Sequence, residues 1–207
     1  MPFCAPAGGQ VEIPMAVTGR KGWLRAALRV VALALPLAAG SALAQEPDGA
    51  ETDWQAGFEA ERDGDWDGAL DHYNRAIQSG ELSQKRLARV FRSRGNVNHA
   101  LSQDNEALQD YETAIRLDPL YANAYVSRGV IYHLRGDYLR AIEDYDEALR
   151  LEPDNALAYA NRGGALEQLD HLEAAISDFR TAYRLGLDKD WLVEVLTAYD
   201  ALPARAP

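Results

Sequence analysis

The sequence predicts an all-α fold: a right-handed α-solenoid of about four helix-turn-helix repeats with a C-terminal capping helix. Three observations lead there. Arg94-Gly95, Arg128-Gly129 and Arg162-Gly163 recur at intervals of 34 residues, the span of one two-helix unit in a repeat array. Small and aromatic residues keep the same phase, with Ala107, Ala141 and Ala175 followed four positions later by Tyr111, Tyr145 and Phe179. Apolar residues within each unit return at spacings of three and four, the stripe of an amphipathic helix.

Residues 1–44 read as an N-terminal extension and signal peptide. A basic stretch with Arg20, Lys21, Arg25 and Arg29 precedes the apolar run Val30 to Ala39, and Ala42-Leu43-Ala44 offers the small residues of a cleavage site before Gln45. That layout is the secretory one, and the run is short for a membrane span, although an uncleaved anchor is the alternative. Met15 is an alternative start, and general secretion fits better than a twin-arginine route because Lys21 replaces the second arginine. Residues 45–51, with Pro47, Asp48 and Gly49, read as a linker.

The repeats then occupy 52–187, in units of about 52–82, 83–119, 120–153 and 154–187. The first is degenerate, with Gly57, Ala60, Ala69, Tyr73 and Ala76. The second reads Phe91, Arg94, Gly95, Asn98, Ala107, Tyr111, Ala114, Pro119, and the third Tyr125, Arg128, Gly129, Tyr132, Ala141, Tyr145, Ala148, Pro153. The fourth reads Tyr159, Arg162, Gly163, Leu166, Ala175, Phe179, Ala182, with Leu187 at the proline position. Ala69 and Ala107 are 38 residues apart, so four additional residues near Gly80 to Lys85 imply a longer connection or an extended helix. Each glycine should let the two helices of its unit cross, with Ala141 expected to meet Gly129. Pro119 and Pro153 end their units, since proline cannot continue a helix. In 188–202, Asp188 offers a cap and Trp191, Leu192, Val195, Leu196 and Tyr199 form one apolar stripe suited to covering the open end of the stack. Residues 203–207 form a tail.

Taken together, these positions resemble the tetratricopeptide repeat family, in an exported bacterial form, over roughly residues 50 to 187. Arginine stands where that family usually has leucine. Arg94, Arg128 and Arg162 are each followed sixteen residues later by Asp110, Asp144 or Asp178, whereas the first unit has Ala56 and His72 at those two positions. Joint presence and joint absence mark these as ion-pair partners between helices, expected to be exposed and to contribute about 0 to 1 kcal/mol each.

Nothing in the chain assembles a nucleophile, base and orienting group, and no enzyme or cofactor is expected. His72, His99, His133 and His171 lack metal-ligand spacing, so no metal is expected either. The only cysteine, Cys4, lies in the leader, leaving a mature chain without thiol chemistry. The leader holds four of the 21 basic residues and one of the 32 acidic ones, so the remainder carries a formal charge of -14. Such a surface disfavours nucleic acid and anionic lipid as partners, and no stable membrane anchor is expected after cleavage.

The resemblance implies a protein-protein interaction module in the periplasm or outside the cell. It would present a concave groove, lined by the first helix of each unit, to a peptide or partner helix. Carrying groove positions over by phase gives Arg89, Arg92, Ser93, Asn96 and His99 from the second unit. The third supplies Asn123, Val126, Ser127, Val130 and His133, with His99 and His133 expected side by side; the fourth supplies Leu157, Asn161 and Gly164. Arg92 and Asn96 match two positions of the family's clamp for a terminal carboxylate, but Ser127, Leu157 and Asn161 do not. A competing surface is the amino-terminal end, where Trp54, Phe58 and Trp66 have no preceding unit over them. It would support a self-associating, homo-oligomeric structural protein. A docking subunit for a separate envelope enzyme is a further alternative.

Overall fold

A computed structural model of the chain describes residues 49–187 and 189–199. The chain divides after Glu46, and all described residues belong to the second unit, Pro47–Pro207. Among them there are nine helices: α1 Gly49–Asp63, α2 Trp66–Gln78, α3 Gln84–Ala100, α4 Asp104–Leu117, α5 Ala122–Leu134, α6 Tyr138–Leu151, α7 Ala156–Gln168, α8 Leu172–Arg184 and α9 Asp190–Ala198. The expected leader, the tail and Asp188 lie outside the described residues. Helix α1 begins at Gly49, inside the stretch expected as linker, and α9 is shorter than the expected 188–202 segment.

One local device turns the chain inside every repeat. One or two residues past the end of each first helix the chain has positive φ: Gly64 at 79°, Ser102 at 62°, Gly136 at 76° and Asp170 at 59°. The next residue's N–H then bonds back to a carbonyl five positions earlier, as from Asp137 to Tyr132 and from His171 to Leu166. This is the Schellman arrangement, which satisfies carbonyls that a helix end leaves open. Asp65 and Asp137 continue directly as side-chain caps of α2 and α6, accepting from the N–H groups of Gly68 and Arg140. Between units the helices stop ahead of Pro119 and Pro153, while the fourth unit uses Gly186 at φ 93° before Leu187.

Helices pack with their neighbours in sequence, α1 on α2, α3 on α4, α5 on α6 and α7 on α8, and each pair stacks on the next. The first helices also touch one another, α1 with α3, α3 with α5 and α5 with α7, whereas the second helices make no comparable contacts. The stack therefore closes on the first-helix side, and that side is concave. The four glycines at the crossings face aromatic rings. A Cβ on Gly57, Gly95, Gly129 or Gly163 would stand 2.5 to 2.7 Å from Tyr73, Tyr111, Tyr145 or Phe179. The rings are the nearest side chains at these crossings, and in the fourth unit the backbone of Ala175 follows at 3.2 Å. Ala141, expected to meet Gly129, is fully buried and packs with Tyr145 of its own unit and Ala165 of the next.

The four inserted residues extend a helix. Position 88 is the in-phase counterpart of 122, where α5 begins, yet α3 starts at Gln84 and runs for 17 residues against 13 in α5 and α7. Ser83 caps this extra turn by accepting from Arg86 N–H. At the other end Leu192 and Leu196 of α9 are fully buried against Phe179 and Ala182, with Trp191 edge-on to Phe179 at 6.1 Å.

Candidate functional site

The concave side is built from in-phase positions of α1, α3, α5 and α7. Counting 38 residues back from unit two, Trp54 stands in the row of Arg92 and Val126, Gln55 in that of Ser93 and Ser127, and Phe58 in that of Asn96 and Val130. The structure opens a cavity of about 950 Å³ here. Trp54, Gln55 and Phe58 line it from α1, Lys85, Arg89, Arg92 and Ser93 from α3, and Leu120, Tyr121 and Asn123 from the start of unit three. Part of the groove and two aromatics of the amino-terminal end, Trp54 and Phe58, expected on competing surfaces, thus meet in one cavity, which Trp66 does not line. Phe58 is 62% exposed in it.

Of the predicted groove residues, Arg89, Arg92, Ser93 and Asn123 come together around this cavity. The others do not line it, and several are committed elsewhere. Arg92 donates through Nε to Ser127 Oγ at 3.2 Å and through Nη1 to Tyr121 Oη at 3.3 Å, so it braces unit two against unit three. Asn96 accepts the Tyr111 hydroxyl at 3.0 Å. His99 and His133 are not joined to each other. His99 Nδ1 lies 2.7 Å from Asp104 Oδ1, and His133 stands edge-on to Tyr138 at 5.3 Å, each engaging the first residue of its unit's second helix. Burial lowers the His133 pKa from its ordinary value. Val126 and Val130 pack on the core around Tyr145 and Ala165. Leu157 is exposed, and the Asn161 side chain makes no hydrogen bond among the described residues.

The arginines next to the glycines form the expected pairs with a different setting. Arg94, Arg128 and Arg162 each hold Asp110, Asp144 or Asp178 through two hydrogen bonds of 2.6 to 3.0 Å. The carboxylates are only 4 to 6% exposed, which corrects the expectation of surface pairs. Each guanidinium also lies over the ring three residues before it, Phe91, Tyr125 or Tyr159, at 5.2 to 5.8 Å. Arg94 reaches Asn74 and Arg162 reaches Asp146, tying each unit to the one before. Donation to the Asp144 carboxylate raises the Arg128 pKa, while burial raises that of Asp144 against the pull of Arg128. The first unit places its carboxylate on the other helix: Asp53 on α1 meets His72 at 3.1 Å and Arg75 at 2.9 Å on α2. These pairs lock the frame of the groove.

Sequence reasoning missed Trp54, Phe58 and Lys85 as groove residues. The signal was present, since carrying the phase into the first unit across the 38-residue interval places both aromatics on the groove rows. Among the described residues no cluster of three or more His, Cys, Asp or Glu side chains could hold a metal ion.

Family models described as TPR repeat match residues 95–136 and 129–170, and one described as tetratricopeptide repeat matches 156–185. Tetratricopeptide repeats are therefore present over residues 95–185, from the last part of α3 through α8. No curated protein matches the chain. Among solved structures, the chain is similar to MamA, with 24% identity, 68% of this chain and 80% of that one covered, and a TM-score of 0.59, a likeness of fold. It is similar to the first TPR of Spaghetti (RPAP3) bound to the HSP90 peptide SRMEEVD, with 25% identity, coverage of 57% and 93%, and a TM-score of 0.53. The Arabidopsis OM64 TPR domain is similar at 26% identity, with coverage of 56% and 95% and a TM-score of 0.53.

Proposed function

We propose that this stack of tetratricopeptide repeats is a non-catalytic adaptor, which binds a peptide or partner helix of another protein in the groove beside α1 and α3. The observation that carries the reading is the cavity of about 950 Å³, where the exposed Phe58 ring and Trp54 face Arg89 and Ser93. A concave pocket with an apolar anchor and a few polar groups is the usual form of a recognition site. The Spaghetti repeat domain, solved with a peptide bound, supports the same use of the fold. Export is part of the proposal, on the strength of the leader-like layout of residues 1–44, which makes the partner an envelope or secreted protein.

Affinity capture with the full chain tests this. Phe58→Ala and Arg89→Ala should each reduce capture of a stoichiometric partner by about tenfold, in line with the loss of one interface anchor, while helicity and melting stay unchanged. Retention of the partner by both variants would remove the groove assignment. Arg92→Ala and Asn96→Ala are poorer probes, because Arg92 braces Ser127 and Asn96 holds the Tyr111 hydroxyl. A shift of the free protein to a dimer on size exclusion, abolished by Phe58→Ala, would instead favour self-association through the same aromatic surface.

A further inference from the structure

A second surface lies at the other ends of the first helices, and we propose that it joins two copies of this chain, turn edge to turn edge, about a two-fold axis. The turns within units three and four leave a cavity of about 400 Å³ lined by Arg135, Gly136, Asp137, Tyr138, Leu139 and Leu169. Leu139 is 67% exposed beside it, and Leu134 and Leu172 in the same two turns are 45% and 41% exposed. The other units show what the fold requires at these positions. In phase with Leu139 stand Asp67, Asn105 and Glu173, and in phase with Leu134 stand Arg62, Ala100 and Gln168. Polar or small residues therefore satisfy the fold at both positions, and the leucines serve no core of their own unit. Exposed apolar side chains grouped within a polar edge mark a contact with another molecule.

Shape and charge select a second copy as the occupant. A two-fold contact requires a patch that complements itself, with every feature and its counterpart on one chain. Here the projecting Leu139 stands next to the hollow, so a two-fold axis between them lets each copy's leucine enter the other's cavity. The charges divide in the same way. The unit-three turn carries Arg135, Arg140 and Asp137, a formal +1, whereas the unit-four turn carries Asp170 and Glu173 with His171 neutral, a formal -2. Asp137 holds Arg140 and caps α6, while Arg135 donates to Asn105 and has no carboxylate within ion-pair distance among the described residues. The Asp170 and Glu173 carboxylates have no hydrogen bond or ion pair among the described residues. Antiparallel apposition sets unit three of each copy on unit four of the other, so Arg135 meets these carboxylates twice, and complementary charge fixes the register.

The contact leaves the groove open. Asn123, which lines the groove cavity, and Leu134 stand at opposite ends of α5, about 16 Å apart along the helix axis. A dimer therefore presents two grooves, and a partner carrying two recognised segments is held by effective concentration as well as by affinity. A contact confined to two turns falls at the small end of specific interfaces, which as a rule bury about 800 Å² per partner, and the dimer should accordingly be weak and concentration-dependent.

Sedimentation velocity of the full chain from about 1 to 200 µM tests the inference, a range that brackets a weak dimer's dissociation constant. The mass should rise towards twice that of the monomer. Leu139→Glu should abolish the rise and leave melting unchanged, because the fourth unit already carries a glutamate at the in-phase position. Arg135→Glu and Glu173→Arg should each weaken association by about tenfold, since each sets like charges in apposition. An equimolar mixture of those two variants should recover it, both pairings in the mixed dimer being opposite again. A monomer at every concentration overturns the inference, as does association that survives Leu139→Glu or a mixture no tighter than its components. Association lost on Phe58→Ala but kept in Leu139→Glu belongs to the groove aromatics and overturns it as well. So does a monomer whose captured partner is lost on Leu139→Glu, which would give the patch to another protein.

Discussion

The arginines that mark the repeat show how one residue can hold the two helices of its unit together. Arg128 lies between the Tyr125 and Tyr132 rings and grips Asp144 with two hydrogen bonds. With Asp144 about 5% exposed, deleting one partner strands a buried charge. Arg128→Ala should therefore lower stability by about 3 to 5 kcal/mol in denaturant melts, well above a surface pair. Tyr145 makes the opposite case. The corresponding hydroxyls of Tyr73 and Tyr111 bond to Glu61 and Asn96, but Val130 replaces Asn96 in the third unit, and the buried Tyr145 hydroxyl has no hydrogen-bond partner among the described residues. The fourth unit has Phe179 at this position. Tyr145→Phe should be neutral or stabilising by up to about 1 kcal/mol, whereas Tyr111→Phe, which strips a made bond, should cost about that much.

At the level of elements, the turn within each unit repeats more faithfully than its sequence does. All four turns require a left-handed residue, supplied by glycine at 64 and 136 but by Ser102 and Asp170 in the other units. A side chain there is strained, so Ser102→Gly should raise stability by about 0.5 to 1 kcal/mol after the entropy lost to the unfolded chain. Thermal melting should show this as a rise of about 1 to 4 °C. The four-residue insertion lies at the start of α3. It lengthens the helix by one turn, carries Lys85 and leaves the crossing of Gly95 on Tyr111 undisturbed.

For the whole molecule, stability is spread along a line of interfaces, because each unit packs mainly on its neighbours. His133 sits at one such junction, beside Tyr138 and within 3.4 Å of a Cβ built on Gly164. Burial lowers its folded pKa below the ordinary value of 6.5. Between the two values the unfolded chain binds a proton that the folded chain does not, so this contribution is intact above about pH 6.5 and lost as pH falls through the folded pKa. Melting temperature measured from pH 7.5 down to 5 should drop less steeply in His133→Gln than in the parent chain, and equal slopes would refute the assignment.

The sequence by itself determined the repeat length, the two-helix unit, the Arg–Asp partners and the closing helix. Those features follow from phase along the chain, because each helix meets the same neighbours at the same positions in every unit. Tertiary structure alone decided that the carboxylates are buried, that rings are the nearest side chains at the crossings, and that the inserted residues became helix. It also decided which groove residues are engaged and that Trp54 and Phe58 share a cavity with Arg89. Phase says which row a side chain occupies. Whether it is free depends on how far apart consecutive units stand and which side chains bridge between them, and that distance is set by packing of whole helices.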